Sequence, residues 1–249
     1  MLSKSLLSIK LNNLTTLALH DLLLNWLNSA SQHIIVTPNP EIILLAQKDK
    51  DFAGILNRAD LSLPDGIGLK FAAWLNGFNL CRHTGVDTVE LLAKLCAETN
   101  QKLLLFGGQE KNTKAAAEKL RQKFFTLDIV TFSLGTISES GETNEKTIQE
   151  IVRIAPNVLV VALGQGKQEK FIDRYLNNFP SVKIAIGIGG ALDMIGGNLP
   201  RAPKILRSLG FEWLWRLIIE PSRWRRIVRA VVIFPLVIVF DRFFTKKQK

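Results

Sequence analysis

The chain is 249 residues long, 47% apolar and 22% charged, a composition that folds around a core and excludes disordered, collagen-like and coiled-coil proteins. Its formal charge of +10 is unevenly spread: residues 201–249 hold twelve Lys and Arg against three Asp and Glu, a net +9, leaving residues 1–200 nearly neutral. Two cysteines, Cys81 and Cys96, cannot build a disulfide framework or a four-cysteine zinc site, and they fit a reducing, cytoplasmic compartment.

The opening MLSKSLLSIKLNN lacks a continuous apolar stretch and a small-residue cleavage site, so it does not read as a secretory signal. Leu19, Leu22, Leu23, Trp26 and Leu27 follow helical spacing, and HIIVT after them is short and β-branched, a strand. The alternation continues: a helical PEIILLAQ, the short run LSL before Pro64, a helical GLKFAAWL, a helix near 87–99 and the strand KLLLFGG. It goes on with a helix around 113–124, LDIVTF, a helix near 144–154, NVLVVALG, a helix over 168–177 and VKIAIGIGG. Such alternation predicts an α/β fold with a mostly parallel, Rossmann-like sheet covered by helices over residues 1–200. Glycines close several strands, at Gly107-Gly108, Gly164-x-Gly166 and Gly187-x-Gly189-Gly190. They mark the ligand side of such a sheet without naming the ligand, since neither a dinucleotide fingerprint nor a P-loop is present.

Residues 201–249 form a second unit, basic and rich in Trp and Arg, read as a helical membrane-associating appendage. Its charge-free run Ala230–Phe240 is 11 residues long and contains Pro235, well short of the roughly 18–20 needed to span a bilayer. Three tryptophans, Trp213, Trp215 and Trp224, among many arginines suit an element lying in the head-group region. The alternative is a helical hairpin packed on the core.

Several polar residues fall where strands should end. Thr37 and Asn39 follow HIIV and can face the crevice or cap the helix beginning near Pro40. Asp65 follows Pro64 in a DG turn, either as a carboxylate presented at a strand end or as the cap of the next helix. Arg82 can pair with a phosphate, while His83 has no partner at metal-ligand spacing. Asp49-x-Asp51 imitates a metal-binding DxD but sits on a charged helix end or loop, so no metal site is expected. Lys167, Gln168 and Glu169 follow a strand directly, and the Gln168 amide can bind a sugar hydroxyl or a phosphate oxygen.

From about Ile34 to Arg226 the chain resembles the WecG/TagA/CpsF glycosyltransferases, glycosyltransferase family 26. The matching strings are TPNPEII, ADLSLPDGIGL, RHTGVD, LLLFGG, LGQGKQEKFI, GIGGALDMIGGNLPRAP and GFEWLWRLIIEPSRWRR. The resemblance implies inverting, metal-independent transfer of a sugar, N-acetylmannosamine or a related hexose, from a UDP donor to a polyprenyl-diphosphate-linked N-acetylglucosamine. The reaction would serve cell-surface polysaccharide or teichoic acid synthesis, with no cofactor, on the inner face of the plasma membrane. It implies Asp65 as base, Thr37, Asn39 and Gln168 around the sugar, Arg82 as a further site residue, and Arg216, Arg223 and Arg226 on phosphate. Asp193 is a weaker second base. Spacings of 7 and 3 put the three arginines on one helical face if the helix runs through Pro221. The family usually has proline where this chain has Gly166, which predicts a more mobile loop and a less fixed Gln168.

Two other classes compete. A non-catalytic nucleotide- or lipid-binding membrane module would share the crevice and the tail. A nucleic-acid-binding protein is disfavoured, because VVIFPLVIVF inside the basic segment would stand exposed to water. A homo-oligomer stays open.

Overall fold

The computed structural model describes residues 3–133, 135–203, 205–206 and 210–242. At its centre lies a six-stranded, all-parallel sheet of β3 (His33–Val36), β4 (Leu61–Ser62), β5 (Leu103–Gly107), β6 (Ile129–Phe132), β7 (Val158–Ala162) and β8 (Ile184–Gly187), in spatial order β4-β3-β8-β7-β5-β6. Residues of β5 and β7 are buried throughout, as expected for parallel strands covered on both faces. Successive side chains divide between two cores. Leu103, Leu105, Val158, Val160, Ile184 and Ile186 pack with α1 (Thr16–Leu27), α5 (Gly85–Thr99), α6 (Glu110–Lys123) and α9 (Ala191–Ile195). Leu104, Phe106, Leu159, Val161 and Ala185 pack with α7 (Glu145–Ile154) and α8 (Lys167–Tyr175). The period of two along each strand is what assigns them to opposite faces.

Helix starts follow their capping residues. Thr15 accepts from the Ala18 amide, Asn144 from Thr147 and Thr84 from Asp87. Asn39 likewise caps α2 (Pro40–Ala46) and Asp49 caps α3 (Lys50–Arg58). Asp49 also pairs with Lys170 at 3.0 Å, so the DxD-like carboxylate is already committed to a helix end and a lysine.

An antiparallel hairpin, β1 (Ser3–Leu6) and β2 (Ile9–Asn12), precedes α1. It shares a third core with α2, α3 and α4 (Ile67–Leu75), and this core also takes in Phe234 and Ile238 from the C-terminal segment. That segment runs as α10 (Glu212–Ile219), a 3-10 turn over Pro221–Arg223, α11 (Trp224–Val228), a π turn over Arg229–Ile233 and α12 (Phe234–Phe240). Full burial of the Phe234 side chain is worth about 2–3 kcal/mol, enough to hold one face of α12 on the α/β body. Among the described residues no helix is long and apolar enough to cross a membrane.

Candidate active site

The strand ends carry the site. Thr37, Asp65, Leu163 with Gly164, and Ile188 with Gly189 follow β3, β4, β7 and β8, and all line one cleft of about 650 Å³. Ligands of open α/β sheets bind on this side. The C-terminal segment closes the cleft from above with Glu212, Trp213, Arg216, Arg223, Arg226 and Ala230. The eight residues that the family resemblance places as base, around the sugar or on phosphate, with Arg82, all reach this cleft, although they come from five stretches of the chain.

Asp65 is not a helix cap. The residue before α4 is Gly66, at φ +93°, and no side chain caps that helix. The Asp65 carboxylate instead accepts the Gly85 amide at the start of α5, while its own amide donates to the Pro38 carbonyl at 2.9 Å. Burial pushes its carboxyl up to about 6, against the opposing pull of Arg82, and the charge of Glu212 raises it further. A carboxylate that is desolvated yet beside guanidiniums is poised to exchange a proton near neutral pH.

Asn39 caps α2, its Oδ1 accepting the Ile42 amide at 3.0 Å, and it also lines the cleft. Thr37, also buried, donates its hydroxyl to the Gly187 carbonyl at 2.8 Å, joining the ends of β3 and β8 and leaving oxygen lone pairs for a ligand. Gln168 is buried and firmly held: Nε2 donates to Glu169 Oε1 and Oε1 accepts the Gly189 amide, both at 2.8 Å. The looser Gln168 expected from Gly166 is therefore not what the fold builds. Gly166 has φ +86°, and its amide donates to Glu169 Oε2 at 2.8 Å, so the loop is pinned from inside. Lys167 points away to Glu139, at 2.6 Å. His83 is buried with Nε2 against the Leu14 carbonyl at 2.8 Å, a structural role.

The three C-terminal arginines do not share one continuous helix. Pro221 ends α10's course and opens the 3-10 turn, as its missing amide dictates. The turn redirects the chain, so Arg216 enters from α10, Arg223 from the turn and Arg226 from α11, and the three converge on the cleft. Glutamates accompany these cations. Arg226 forms a bidentate pair with Glu41, Arg223 Nε donates to Glu220 at 2.8 Å, and Arg82 lies 3.6 Å from Glu212. Arg216 differs. Its Nη2 is buried with no hydrogen-bond partner among the described residues, and burial together with Arg223 pulls its guanidinium below the usual value. These glutamates were not singled out from the sequence: Glu41 and Glu212 lie far along the chain from Arg226 and Arg82, and Glu220, though three residues before Arg223, is separated from it by Pro221.

Sequence comparison meets this geometry from the other side. The sequence model of the Glycosyl transferase WecG/TagA/CpsF family matches residues 4–248. The chain belongs to that family. A relative from Bacillus subtilis (strain 168), an N-acetylglucosaminyldiphosphoundecaprenol N-acetyl-beta-D-mannosaminyltransferase, is 33% identical over 198 residues, covering 78% of this chain and 75% of the relative. A Staphylococcus aureus (strain MRSA252) protein of the same name is 30% identical over 224 residues, covering 89% and 85%. The chain is thus a hexosyltransferase of the WecG/TagA/CpsF family. Asp193 lines the same cleft, but its Oδ1 is engaged by Asn112 Nδ2 at 2.7 Å, an arrangement that ties α9 to α6.

Proposed function

We propose that this glycosyltransferase moves N-acetylmannosamine or a related hexose from a UDP donor to a polyprenyl-diphosphate-linked N-acetylglucosamine, with inversion, at the cytoplasmic membrane surface. The names of the two relatives support the acceptor and the sugar class. One observation carries the chemistry: Asp65, its carboxyl near 6, and Arg216, its Nη2 without a partner among the described residues, line the same cleft and feel each other's charge.

In the displacement, Asp65 takes the proton of the acceptor hydroxyl as that oxygen bonds to the anomeric carbon. The bond from the anomeric carbon to the UDP oxygen breaks on the opposite face, and the electron pair leaves with the diphosphate. Arg216, Arg223 and Arg226 offset the developing charge, the electrostatic role that fixed donors fill in a water-poor site. Arg216 suits this best, since an anion would satisfy its buried donor. Thr37, Asn39 and Gln168 are placed to contact the sugar, and Arg82, between Glu212 and Asp65, sets the field at the base. The proton passes from Asp65 to solvent after product leaves.

The test is a panel of UDP-sugars with a short-chain diphospholipid acceptor, products read by mass spectrometry and the new anomeric linkage by NMR. UDP-N-acetylmannosamine should give product of inverted configuration. Retention of configuration, or turnover only with a donor outside the hexosamines, would overturn the reading.

A further inference from the structure

The apolar surface of the molecule is not confined to the C-terminal segment. On α4, inside the α/β body, Ile67, Phe71 and Trp74 are exposed at spacings of 4 and 3, Trp74 to 65%, and the Phe71 and Trp74 rings lie 6.0 Å apart. These spacings align them along one helix face. On the tail, Val228, Val232, Leu236, Val239 and Phe240 are exposed opposite the buried Phe234 and Ile238, with Leu236 and Phe240 more than 60% accessible. The two helices touch. Gly68 lies against the Ala230 carbonyl and the Phe234 ring, so closely that a β-carbon there would sit 3.6 and 3.8 Å from them.

We infer that α4 and α12 dock together on a bilayer with anionic head groups, with Phe71 and Trp74 entering the interface beside Leu236 and Phe240. The inference deepens the membrane-surface reading above and rests on it. An exposed aromatic-rich patch of this kind marks an interaction surface, and charge selects the occupant. Lys70 on α4, Arg225 on α11, Arg229 in the π turn before α12 and Arg242 just after α12 are all exposed, and the Arg225 guanidinium lies 5.4 Å from the Trp224 ring. Glu41, Glu212 and Glu220 are already paired with arginines of the cleft. A second copy of the chain on this face would bring like charges together; anionic lipid would neutralise them while the aromatic rings leave water. The placement also fits the cleft, because Ile67 of α4 and Ala230, in the π turn that leads into α12, line it. A lipid-anchored diphosphate would then meet the arginines without leaving the membrane surface.

Vesicles of phosphatidylglycerol and phosphatidylcholine separate the possibilities, using the full chain, a Phe71→Ser/Trp74→Ser variant and a Leu236→Ser/Phe240→Ser variant. Both variants should lose about tenfold or more in vesicle partitioning. The α4 variant should keep the wild-type melting temperature and its transfer to a water-soluble acceptor. Loss in the tail variant with wild-type binding by the α4 variant would overturn the inference and leave the membrane reading standing. No vesicle binding by the wild type would overturn both. A lipid-free dimer that the α4 substitutions dissociate would identify the face as a self-association surface and overturn the inference.

Discussion

Arg226 and Glu41, 185 residues apart in the chain, form a bidentate ion pair: Nε lies 3.0 Å from Oε1 and Nη2 lies 2.9 Å from Oε2. Glu41 belongs to the first turn of α2, where a carboxylate is favoured by the helix dipole, and the pair fastens α11 to the rim of the sheet. Arg226 keeps 42% of its side chain exposed, so solvent screens much of the attraction. Glu41→Gln should therefore cost only about 0.5–1 kcal/mol, read as a drop of about 1–4 °C in melting temperature. An unchanged melting temperature would mean that this pair adds nothing to the hold of the body on the tail.

Asp65 invites a two-part measurement. Its carboxyl lies near 6 in the folded protein against 3.8 ordinarily, so the folded chain binds this proton more tightly than the unfolded chain. Its contribution favours folding below about pH 4 and is lost as the pH rises through 6. Asp65→Asn should then raise the melting temperature at pH 7–8, with the advantage shrinking toward pH 4, while turnover falls by about 10²–10⁴-fold. A folded Asp65→Asn protein with near-normal turnover would remove the base from the mechanism.

Glu212 acts on the same proton from the tail. Its charge raises the Asp65 carboxyl, and it also sits 3.6 Å from Arg82, whose charge lowers that carboxyl. Glu212→Gln removes the repulsion and releases Arg82, and both effects favour the Asp65 carboxylate. The acid limb of kcat/KM against pH, expected near 6 in the parent, should move to lower pH. A limb that stays in place would assign it to another group.

Much of this site was legible in the sequence, and the exceptions have physical causes. Strand-end placement brought Thr37, Asp65 and Gln168 to the cleft, because short buried runs followed by glycine or proline identify the carboxyl edge of the sheet. The β1–β2 hairpin escaped because its turn residues, Leu7 and Ser8, adopt φ +48° and +64°; the usual Asn-Gly or Asp-Gly signal is missing. Helix α3 was hidden by its charged start, KDKD, which serves as a cap and first turn. The arginines' convergence depends on the break at Pro221, and helical spacing carried through a proline describes a face that does not form. The glutamates that pair with them lie up to 185 positions away, a separation that only the folded chain reveals.

Charge balance in the cleft has a consequence for metal dependence. If Arg216, Arg223 and Arg226 carry the leaving diphosphate, turnover should persist in excess chelator, and Arg216→Ala should lose about 10²–10³-fold in kcat. Strict dependence on Mg²⁺ or Mn²⁺, restored by adding the ion back, would transfer that role from the guanidiniums to a cation.

Gly166 tests whether the family's usual residue would suit this loop. Its φ of +86° lies in the left-handed region, which a proline ring, confined near −65°, cannot enter. Its amide donates to the buried Glu169 carboxylate at 2.8 Å, and the other oxygen of Glu169 accepts from Gln168. Gly166→Pro therefore imposes a different backbone and deletes a donor to a buried carboxylate, a combined cost of about 3 kcal/mol or more. Gly166→Ala keeps the amide but meets the unfavourable φ, with its β-carbon 3.3 Å from Leu45 Cδ2, for about 1–2 kcal/mol. The order glycine, alanine, proline in falling melting temperature is the expected result. Turnover should fall in the same order, because Gln168 reaches Gly189 only while Glu169 holds its amide. A proline variant as stable and active as the parent would show that the loop relaxes to another conformation without disturbing Gln168, and the pinning role of Glu169 would be lost with it.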